Sequence, residues 1–398
     1  MTAERAEIAI IGGGPAGAAA AVRLAHAGRD VLLIERSRTT MHKLCGEFVS
    51  CEALAALDGL GIKLPTAGVV PLAAIRLTTG NIVAEARLPF PTAGLSRRLL
   101  DMLLLREAVR AGVRIRRGVA VRKVEAGKGS AAIHLADGTT FDAAEAILAT
   151  GKHDIAPRAR ETRWPGRGSM LGLKMHLRLS PEAASRIGPA VELHLFPGGC
   201  AGLQPVGNGV VNLCITLDRN EFARAGHDFR SFLDHIGNGN AAFRAAINDA
   251  SLLWPRPLAI ARVPYGHLRG PQELPDHLWP VGDQAAVTAS FTGDGIALAL
   301  ASGIAAAEEL LAGGSSASYL RAFRCRARRQ MRCAMALQRL IDYPSLHHPL
   351  VALARRQPWM IRKAASLTRL PRAAGSDSAT ERWRKPEAAE ARPEPGGT

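Results

Sequence analysis

The chain has 398 residues, of which 47% are hydrophobic and 22% charged, so it can bury a large core in one or two domains. Its formal net charge of +16 is concentrated at the C-terminal end, where seventeen Lys or Arg residues stand against six acids from Arg321 onward. Aromatic residues make up only 5%, and no zinc-finger or RNA-binding motif is present, which argues against nucleic acid as a partner. An anionic membrane surface is the better candidate.

The sequence predicts neither secretion nor a membrane span. No basic, apolar and small-residue succession precedes the first predicted strand, and the longest apolar run is broken by Glu308 and Glu309. The cysteines form no CxxC pair and show no zinc spacing, which predicts no metal site and a reduced, cytoplasmic compartment. They are Cys45, Cys51, Cys200, Cys214, Cys325 and Cys333.

The first predicted elements are a strand, a glycine-rich turn, a helix and a second strand, in "IAIIGGGPAGAAAAVRLAHAGRDVLLIERS" at residues 8–37. Gly12 permits a tight turn, Gly14 lets the backbone approach a pyrophosphate, and Gly17 lets helix and strand pack closely. The helix N-terminus suits phosphate because its N–H groups are unpaired and carry positive charge. Glu35 ends the second strand, where an acid accepts hydrogen bonds from an adenosine ribose. The pattern predicts a site for either NAD or FAD.

A second strand, loop and helix follow at residues 278–310, "LWPVGDQAAVTASFTGDGIALALASGIAAAEEL". Together with the first motif, this stretch is similar to the closing motif of FAD-dependent oxidoreductases of the aromatic-hydroxylase and geranylgeranyl-reductase superfamily. The resemblance implies that Asp283 hydrogen-bonds the ribityl or ribose part of FAD. It also implies that the helix starting near Gly295 points its N-terminus at the flavin pyrimidine ring, where it would stabilise negative charge on reduced flavin.

The segment "KLCGEFVSCEAL" resembles the CGE segment of the geranylgeranyl-reductase branch, which lies beside the flavin ring. This resemblance makes Cys45, Gly46 and Glu47 the flavin-adjacent candidates, although no residue is assigned the catalytic role. A packing role for Cys45 is favoured over redox chemistry, since no partner cysteine is near in sequence. Glu47 could hold a loop or relay a proton, and both alternatives stay open.

Residues 95–125 resemble the helix and strand that follow in the same superfamily. There Arg97 matches the arginine near the FAD pyrophosphate, and Val119 or Ala120 would present backbone groups to the adenine. Residues 146–154, "AILATGKHD", match the strand that returns to the FAD domain. The complete set assigned to FAD is Gly12, Gly14, Pro15, Ala16, Gly17, Glu35, Arg36, Cys45, Arg97, Val119, Gly151, Asp283, Gly295 and Ile296.

The chain departs from the superfamily pattern in the loop after Gly-Asp. Hydroxylases usually carry a His and a Pro there, whereas this loop reads "QAAVTASF", with Ala289 at the place expected for the proline. No second G-x-G-x-x-G occurs, so NAD(P)H, if it is the electron donor, reaches the flavin without a dinucleotide domain of its own. The departure puts hydroxylase-like oxygen chemistry in doubt.

Residues 168–217 alternate like antiparallel strands broken by Gly and Pro, and predicted helices follow around residues 221–249. We expect this region to form a sheet over the flavin whose inner face supplies the substrate site. Its polar side chains are each more often ordinary sheet residues than functional ones, so none receives a role. They are His176, His194, Cys200 and Tyr265.

The predicted fold is therefore α/β, a Rossmann-like FAD-binding domain of glutathione-reductase type with an inserted antiparallel β-sheet substrate domain and C-terminal helices. We expect the FAD-binding domain at residues 1–165 and 262–315, and the substrate domain at 166–261. Basic helices follow at 316–370, and a disordered tail at 371–398. The helices either pack on the FAD domain with solvated arginines or dock on a membrane near Trp359.

The resemblance predicts an FAD-dependent oxidoreductase that acts on an apolar small molecule. The prediction leans to NAD(P)H-dependent monooxygenation, because monooxygenases are numerous in the superfamily. Reduction of carbon–carbon double bonds is the alternative, and the CGE segment favours it. A lipid-carrying protein of the dissociation-inhibitor type is the non-enzyme alternative, and the oligomeric state is left open.

Overall fold

The computed structural model describes residues 5–127, 129–155, 170–275 and 277–371. Within them the strands, in chain order, are β1 Arg5–Ile11, β2 Val31–Glu35, β3 Phe48–Val49, β4 Val69–Thr79, β5 Ile82–Leu95, β6 Arg114–Arg117, β7 Val121–Ala126, β8 Ala131–Leu135, β9 Thr140–Leu148, β10 Met170–Arg178, β11 Ala190–Phe196, β12 Gly199–Pro205, β13 Val211–Asp218, β14 Ser251–Leu252, β15 Leu258–Ala261 and β16 Leu278–Pro280. The α-helices are α1 Pro15–His26, α2 Cys51–Gly59, α3 Arg97–Arg110, α4 Pro181–Ile187, α5 Arg219–Arg224, α6 Phe229–Gly239, α7 Ala241–Ile247, α8 Gly295–Leu311, α9 Ser316–Ile341, α10 Pro344–Arg356 and α11 Trp359–Leu367.

The first sheet has the strand order β6-β2-β1-β9-β8-β7, and β16 also pairs with β9. Strands β6, β2, β1, β9 and β16 run parallel, whereas β7 and β8 form an antiparallel extension. Ile8 and Ile10 of β1 are fully buried, as expected for a central parallel strand with both faces covered. Helices α1, α3 and α8 pack in one core cluster with this sheet. This is the predicted Rossmann-like domain.

The second sheet has the strand order β14-β10-β13-β12-β11-β4-β5-β3, with β15 on β10. It is antiparallel except where β11 pairs with β4. The predicted substrate domain, residues 166–261, supplies β10 to β15, but β3, β4 and β5 come from the stretch predicted to belong to the FAD-binding domain. The chain therefore enters this sheet twice, and sequence spacing did not reveal the pairing of β4 with β11. The boundary placed at residue 165 lies outside the described residues, so the division into domains stays a prediction.

The two faces of the second sheet pack against different elements. On one face, Leu173 and Met175 of β10 form a core cluster with Phe232 of α6 and Phe243 of α7. On the other face, Val191 and Leu193 and their neighbours form a cluster with side chains of α9, α10 and α11. Because side chains alternate along a strand, β11 and β12 supply residues to both clusters.

The C-terminal helices divide between the two sheets. Tyr319 and Phe323 of α9 join the core of the first sheet, as one prediction had it, whereas α10 and α11 contact β4 and β5 of the second sheet. Among the described helices, none has the length and apolar character that crossing a bilayer requires. The predicted disordered tail lies, apart from Pro371, outside the described residues.

Candidate functional site

The glycine-rich turn between β1 and α1 forms a cradle that only glycine permits. Gly12 has a φ of +111°, and a Cβ on it would lie 2.4 Å from the carbonyl oxygen of Ala149. A Cβ on Gly17 would lie 2.0 Å from the carbonyl oxygen of Gly12. The helix begins at Pro15 with Gly14 as its N-cap, so its first N–H groups face the turn. These features fit the pyrophosphate of a dinucleotide.

Glu35 reaches back from the end of β2 to this turn. Its carboxylate accepts hydrogen bonds from the backbone N–H of Gly13 and of Ser37, both at 2.9 Å. Burial works to raise the pKa of Glu35, but the two hydrogen bonds outweigh it and leave the pKa below its ordinary value. An ionised acceptor at this position fits the hydroxyl groups of a ribose. Arg36, the next residue, points instead to the ring of His153.

Arg97 opens α3 on the other side of the cradle. Its guanidinium donates to both carboxylate oxygens of Asp101, at 2.8 and 2.9 Å. Burial works to lower the pKa of Arg97, but Asp101 outweighs burial and raises it. A Cβ on Gly14 would lie 3.7 Å from Nη2 of Arg97, so a fixed cation borders the helix N-terminus. Its role toward the pyrophosphate stays a prediction.

The second predicted strand-loop-helix element meets the first one directly. A Cβ on Gly303 of α8 would lie 2.2 Å from the carbonyl oxygen of Ala16, and a Cβ on Gly282 would lie 2.9 Å from the Ala16 side chain. Asp283 follows Gly282, and its Oδ2 lies 3.9 Å from where a Cβ on Gly151 would be. The first element therefore packs on the second at Ala16, and Asp283 lies next to Gly151, while their contacts with FAD stay predictions.

The remaining predicted contacts lie at the two ends of this site. Val119 and Ala120 lie in the loop between β6 and β7, where the Ala120 carbonyl accepts a hydrogen bond from Ala136 at 2.7 Å. At the other end, α8 starts at Gly295, and Ile296 is buried. None of these positions is tested as an FAD contact, so each stays a prediction.

Lys152 was missed by the sequence analysis, because a single lysine after Gly151 forms no motif. Burial works to lower its pKa, but Tyr265 and Asp283 outweigh burial and raise it, so its ammonium group is charged. The interaction places this cation near Asp283, one of the predicted FAD contacts.

The turn Cys45-Gly46-Glu47 is bound to the second sheet through Glu47. This carboxylate is fully buried and accepts from the backbone N–H of Arg97 at 2.7 Å. It also pairs with the ammonium group of Lys174 at 2.5 Å and with Nε2 of His176 at 2.7 Å. Burial works to raise the pKa of Glu47, but His176 and Lys174 outweigh it and lower the pKa. With its oxygens so occupied, Glu47 holds the turn, which favours the first of its two predicted roles.

The backbone of the turn shows why such fastening is needed. Glu47 has a φ of +62°, a conformation that costs a non-glycine residue free energy. Asn212 of β13 donates to the carbonyl oxygens of Cys45 and Gly46 at 3.2 and 2.8 Å. The backbone N–H of Glu47 contacts Sγ of Cys45 at 3.3 Å. The second sheet therefore fixes the shape of a turn that the first domain supplies.

His42, Glu47 and His176 offer ligand atoms that lie within 4.8 Å of one another, an arrangement that could hold a metal ion. Lys174 argues against a metal, because its ammonium group already pairs with Glu47 and would repel a second cation. Burial, together with the charges of His176 and Lys174, lowers the pKa of His42 to about 4. We interpret Glu47, Lys174 and His176 as a hydrogen-bonded, ion-paired network against which the ring of His42 packs, and we propose no metal.

A cavity of about 560 Å³ lies between the second sheet and the C-terminal helices. Its floor consists of side chains of β4, β5 and β11 to β13, and one end reaches Gly46, Cys214 and Ser290. Its roof is formed by residues 337–369, which we call the lid. Apolar side chains of the floor are Ile75, Leu77, Leu88, Phe90, Val191 and Leu193, and those of the lid are Leu337, Leu340, Ile341, Leu350, Met360 and Ile361.

Of the four polar residues left without a role, two contact the cavity or its wall. Cys200 lines the cavity, and burial raises its pKa to about 12, so its thiol stays protonated. The hydroxyl of Tyr265 lies 2.5 Å from the hydroxyl of Ser290, which lines the cavity. His176 belongs to the Glu47 network. His194 binds the hydroxyl of Thr78 at 2.8 Å within the sheet, as an ordinary sheet residue does.

The comparisons with known proteins agree with this geometry. A model of the FAD-binding domain family matches residues 5–168. The menaquinone reductase of Mycolicibacterium smegmatis is 26% identical over 326 residues, which are 78% of this chain and 77% of that protein. Digeranylgeranylglycerophospholipid reductase 2 of Methanosphaera stadtmanae is 27% identical over 316 residues, 75% of this chain and 76% of that protein.

Solved structures show the same fold at lower identity. A flavoprotein/dehydrogenase from Cytophaga hutchinsonii has a TM-score of 0.75 at 18% identity and covers 92% of both chains. The flavin-dependent brominase Bmp2 has a TM-score of 0.73 at 16% identity, covering 92% of this chain and 93% of its own. Nothing in the comparisons supports the non-enzyme alternative of a lipid carrier. The chain is an FAD-dependent oxidoreductase, and over three quarters of its length it is similar to the reductases of menaquinone and of a digeranylgeranyl lipid.

Proposed function

We propose that this enzyme reduces a carbon–carbon double bond in an isoprenoid lipid held in the cavity under the lid. The observation that carries the proposal is the position of that cavity, which is apolar along the sheet and ends at Gly46 of the CGE turn. Two relatives that cover three quarters of the chain are named as reductases of menaquinone and of a digeranylgeranyl lipid. Both names describe molecules that carry isoprenoid chains.

Binding of such a chain is driven by burial of apolar surface. Each Å² removed from water contributes roughly 25 cal/mol, and the floor and the lid together enclose the ligand from both sides. A small charged acid would find no unpaired cation among the described residues that line this cavity, because Arg369, the one cation among them, is paired with Asp294. Near Gly46, Ser290 lines the cavity with a hydroxyl that lies beside the hydroxyl of Tyr265.

We further propose that FAD is held by the cradle residues Gly12, Gly14 and Gly17, with Glu35 on a ribose and Arg97 near the pyrophosphate. Asp283 and the start of α8 would face the rest of the cofactor. When bound and reduced, FAD would supply a hydride to one carbon of the double bond, and a proton from solvent would go to the other carbon. The chain itself then has to orient the lipid and hold the CGE turn, and the Glu47 network holds the turn.

The electron donor we propose is NAD(P)H, which would bind a groove beside Glu35. Four exposed arginines line this groove together with Thr39 and Thr40, and no carboxylate lines it in the part of the chain that the structure describes. The planar guanidinium groups of arginine bind phosphate with paired, charge-assisted hydrogen bonds. The arginines are Arg38, Arg106, Arg110 and Arg117.

The lid supports the proposal that the enzyme docks on an anionic membrane. Five of the nine exposed large hydrophobic side chains in the described residues lie at or near the lid, and we call them the apolar rim: Leu340, Tyr343, Leu346, Leu353 and Trp359. Basic residues surround the rim, among them Arg355, Arg356 and Arg362. Apolar groups flanked by cations bind at the acyl boundary of an anionic leaflet, where isoprenoid lipids reside.

The experiment that tests the reaction is turnover without oxygen. The purified protein is reduced anaerobically and given menaquinone or a polyprenyl lipid, and the product is weighed by mass spectrometry. We expect a product that has gained two hydrogen atoms in its isoprenoid chain and keeps them after the quinone ring has been reoxidised in air. A product that forms only with oxygen and has gained an oxygen atom would establish hydroxylation, the prediction to which the sequence leaned.

A further inference from the structure

The lid is fastened to the predicted flavin side of the molecule by one arginine. Arg369 follows the end of α11, and its Nη1 lies 2.8 Å from Oδ1 of Asp294, the residue before α8. Its Nη2 donates to the carbonyl oxygen of Thr292 in the same loop. The guanidinium also lies 5.6 Å from the ring centre of Phe48 and 5.5 Å from that of Phe90, both of which line the cavity.

Asp294 is oriented for this interaction and not for capping its own helix. It stands at the N-cap of α8, but its side chain accepts no hydrogen bond from the first turn of that helix. Its Oδ2 accepts instead from the side-chain amide of Gln330 of α9. The carboxylate thus joins the loop before α8 to two C-terminal elements.

Arg369 and Asp294 form a buried ion pair at the start of α8. Asp294 is fully buried, and the Arg369 side chain is 7% exposed. Burial raises the pKa of Asp294 to about 7, and Arg369 opposes that rise. Arginine stays charged in proteins, so loss of the carboxylate leaves an uncompensated cation. A charge there acts in a low-dielectric region, where its effect carries further than in water.

We propose that Arg369 is a positioning residue that couples the lid to FAD, and that its pair with Asp294 sets how readily the bound FAD is reduced. The inference rests on the proposed function, in which α8 starts at the flavin. With the lid closed, the pair is neutral and the loop at residues 290–294 is held in place. A lid that lifts removes the cation from the start of α8 and releases the loop.

The test measures the midpoint potential of FAD in the full-length, FAD-loaded protein by equilibration with a redox dye at about pH 8.5, above the pKa of Asp294, so that its carboxylate is ionised. Asp294→Asn leaves Arg369 uncompensated, and we expect the ratio of reduced to oxidised FAD at a fixed applied potential to rise about tenfold, or about 30 mV for a two-electron couple. Asp294→Asn combined with Arg369→Met restores neutrality and should return the potential to the wild-type value. Arg328→Met, an exposed arginine of α9, is the matched control.

A potential that is the same in all of these proteins would overturn the electrostatic coupling. Whether Arg369 holds the lid in place can be measured separately, without FAD. Arg369→Met should speed tryptic cleavage of the lid about tenfold relative to Arg328→Met, and equal rates would refute it. If the wild-type protein takes up no FAD at all, the proposed function fails, and this outcome is distinct from an unchanged potential in an FAD-loaded protein.

Discussion

The sequence identifies Glu47 as a residue of interest but does not reveal its role. The CGE resemblance singles it out, but its partners Lys174 and His176 lie more than a hundred residues later, on one face of β10. No local pattern links a turn to a strand at that distance. The structure supplies the missing partners and favours the fastening role over proton relay, because the carboxylate is buried and occupied.

Glu47→Gln should destabilise the protein strongly. It leaves the ammonium group of Lys174 buried without its counter-charge, and removing one partner of a buried pair costs about 3–5 kcal/mol. We expect the free energy of unfolding, measured by urea denaturation, to fall by about 3 kcal/mol. Glu308→Gln, which removes an exposed partner of Arg23, is the control and should have little effect. A Glu47→Gln protein as stable as this control would show that the pair is not a structural one.

The lowered pKa of His42 predicts that the free energy of unfolding depends on pH. Its pKa is lowered to about 4 in the folded protein, whereas the unfolded chain has the ordinary value near 6.5. Between these values the unfolded state binds more protons, so stability falls as the pH is lowered from 6.5 to 4. His42→Gln should lose this part of the dependence. The measurement is urea denaturation of the wild type and of His42→Gln at several pH values between 4 and 6.5. If the unfolding free energies of the two proteins change in parallel with pH, the prediction is contradicted.

At the scale of elements, the sequence predicts local units well. The strand, turn and helix that begin at β1 are found where the glycine spacing places them, because Gly12 has a positive φ and Gly17 packs against the carbonyl oxygen of Gly12 in the same turn. The lid could not be predicted in the same way. Its apolar residues are spaced for packing against β4 and β5, which lie far earlier in the chain, so the helical pattern shows an apolar face but not what covers it.

The contact between α1 and α8 predicts that Gly303 tolerates no side chain. Gly303→Ala would bring a Cβ within 2.2 Å of the carbonyl oxygen of Ala16, so the two helices would have to separate. We expect a loss of about 1–3 kcal/mol in unfolding free energy and weaker FAD binding by fluorescence titration. Gly59→Ala, at the end of α2 in open space, is the matched control. Equal FAD affinity in the two variants would show that this contact does not shape the site.

For the whole molecule, the two sheets and the lid together form the site. The turn from the first domain, the floor from the second sheet and the roof from the C-terminal helices meet at one cavity. Truncation near Ser315 would therefore remove part of the core, since Tyr319 and Phe323 pack inside it. Point variants are the better way to test the lid.

The apolar rim predicts binding to anionic vesicles. Leu353→Glu together with Trp359→Glu places two acids on the rim, and we expect most of the protein to stop floating with phosphatidylglycerol vesicles. Leu253→Glu, at an exposed site outside the lid, should float like the wild type. Equal flotation of all three proteins, or none for the wild type at low salt, would exclude docking through the rim.

The central claim is that the lipid lies in the cavity when it takes the hydride, and anaerobic single turnover in a cavity-filling variant tests it most directly. Leu193 lines the floor, and Leu193→Trp would fill part of that space, whereas Val83→Trp alters an exposed position of β5. We predict that menaquinone reoxidises the reduced FAD of the wild type and of Val83→Trp, and does so about a hundredfold more slowly in Leu193→Trp at equal FAD content. Equal rates in all three FAD-loaded proteins would contradict the claim.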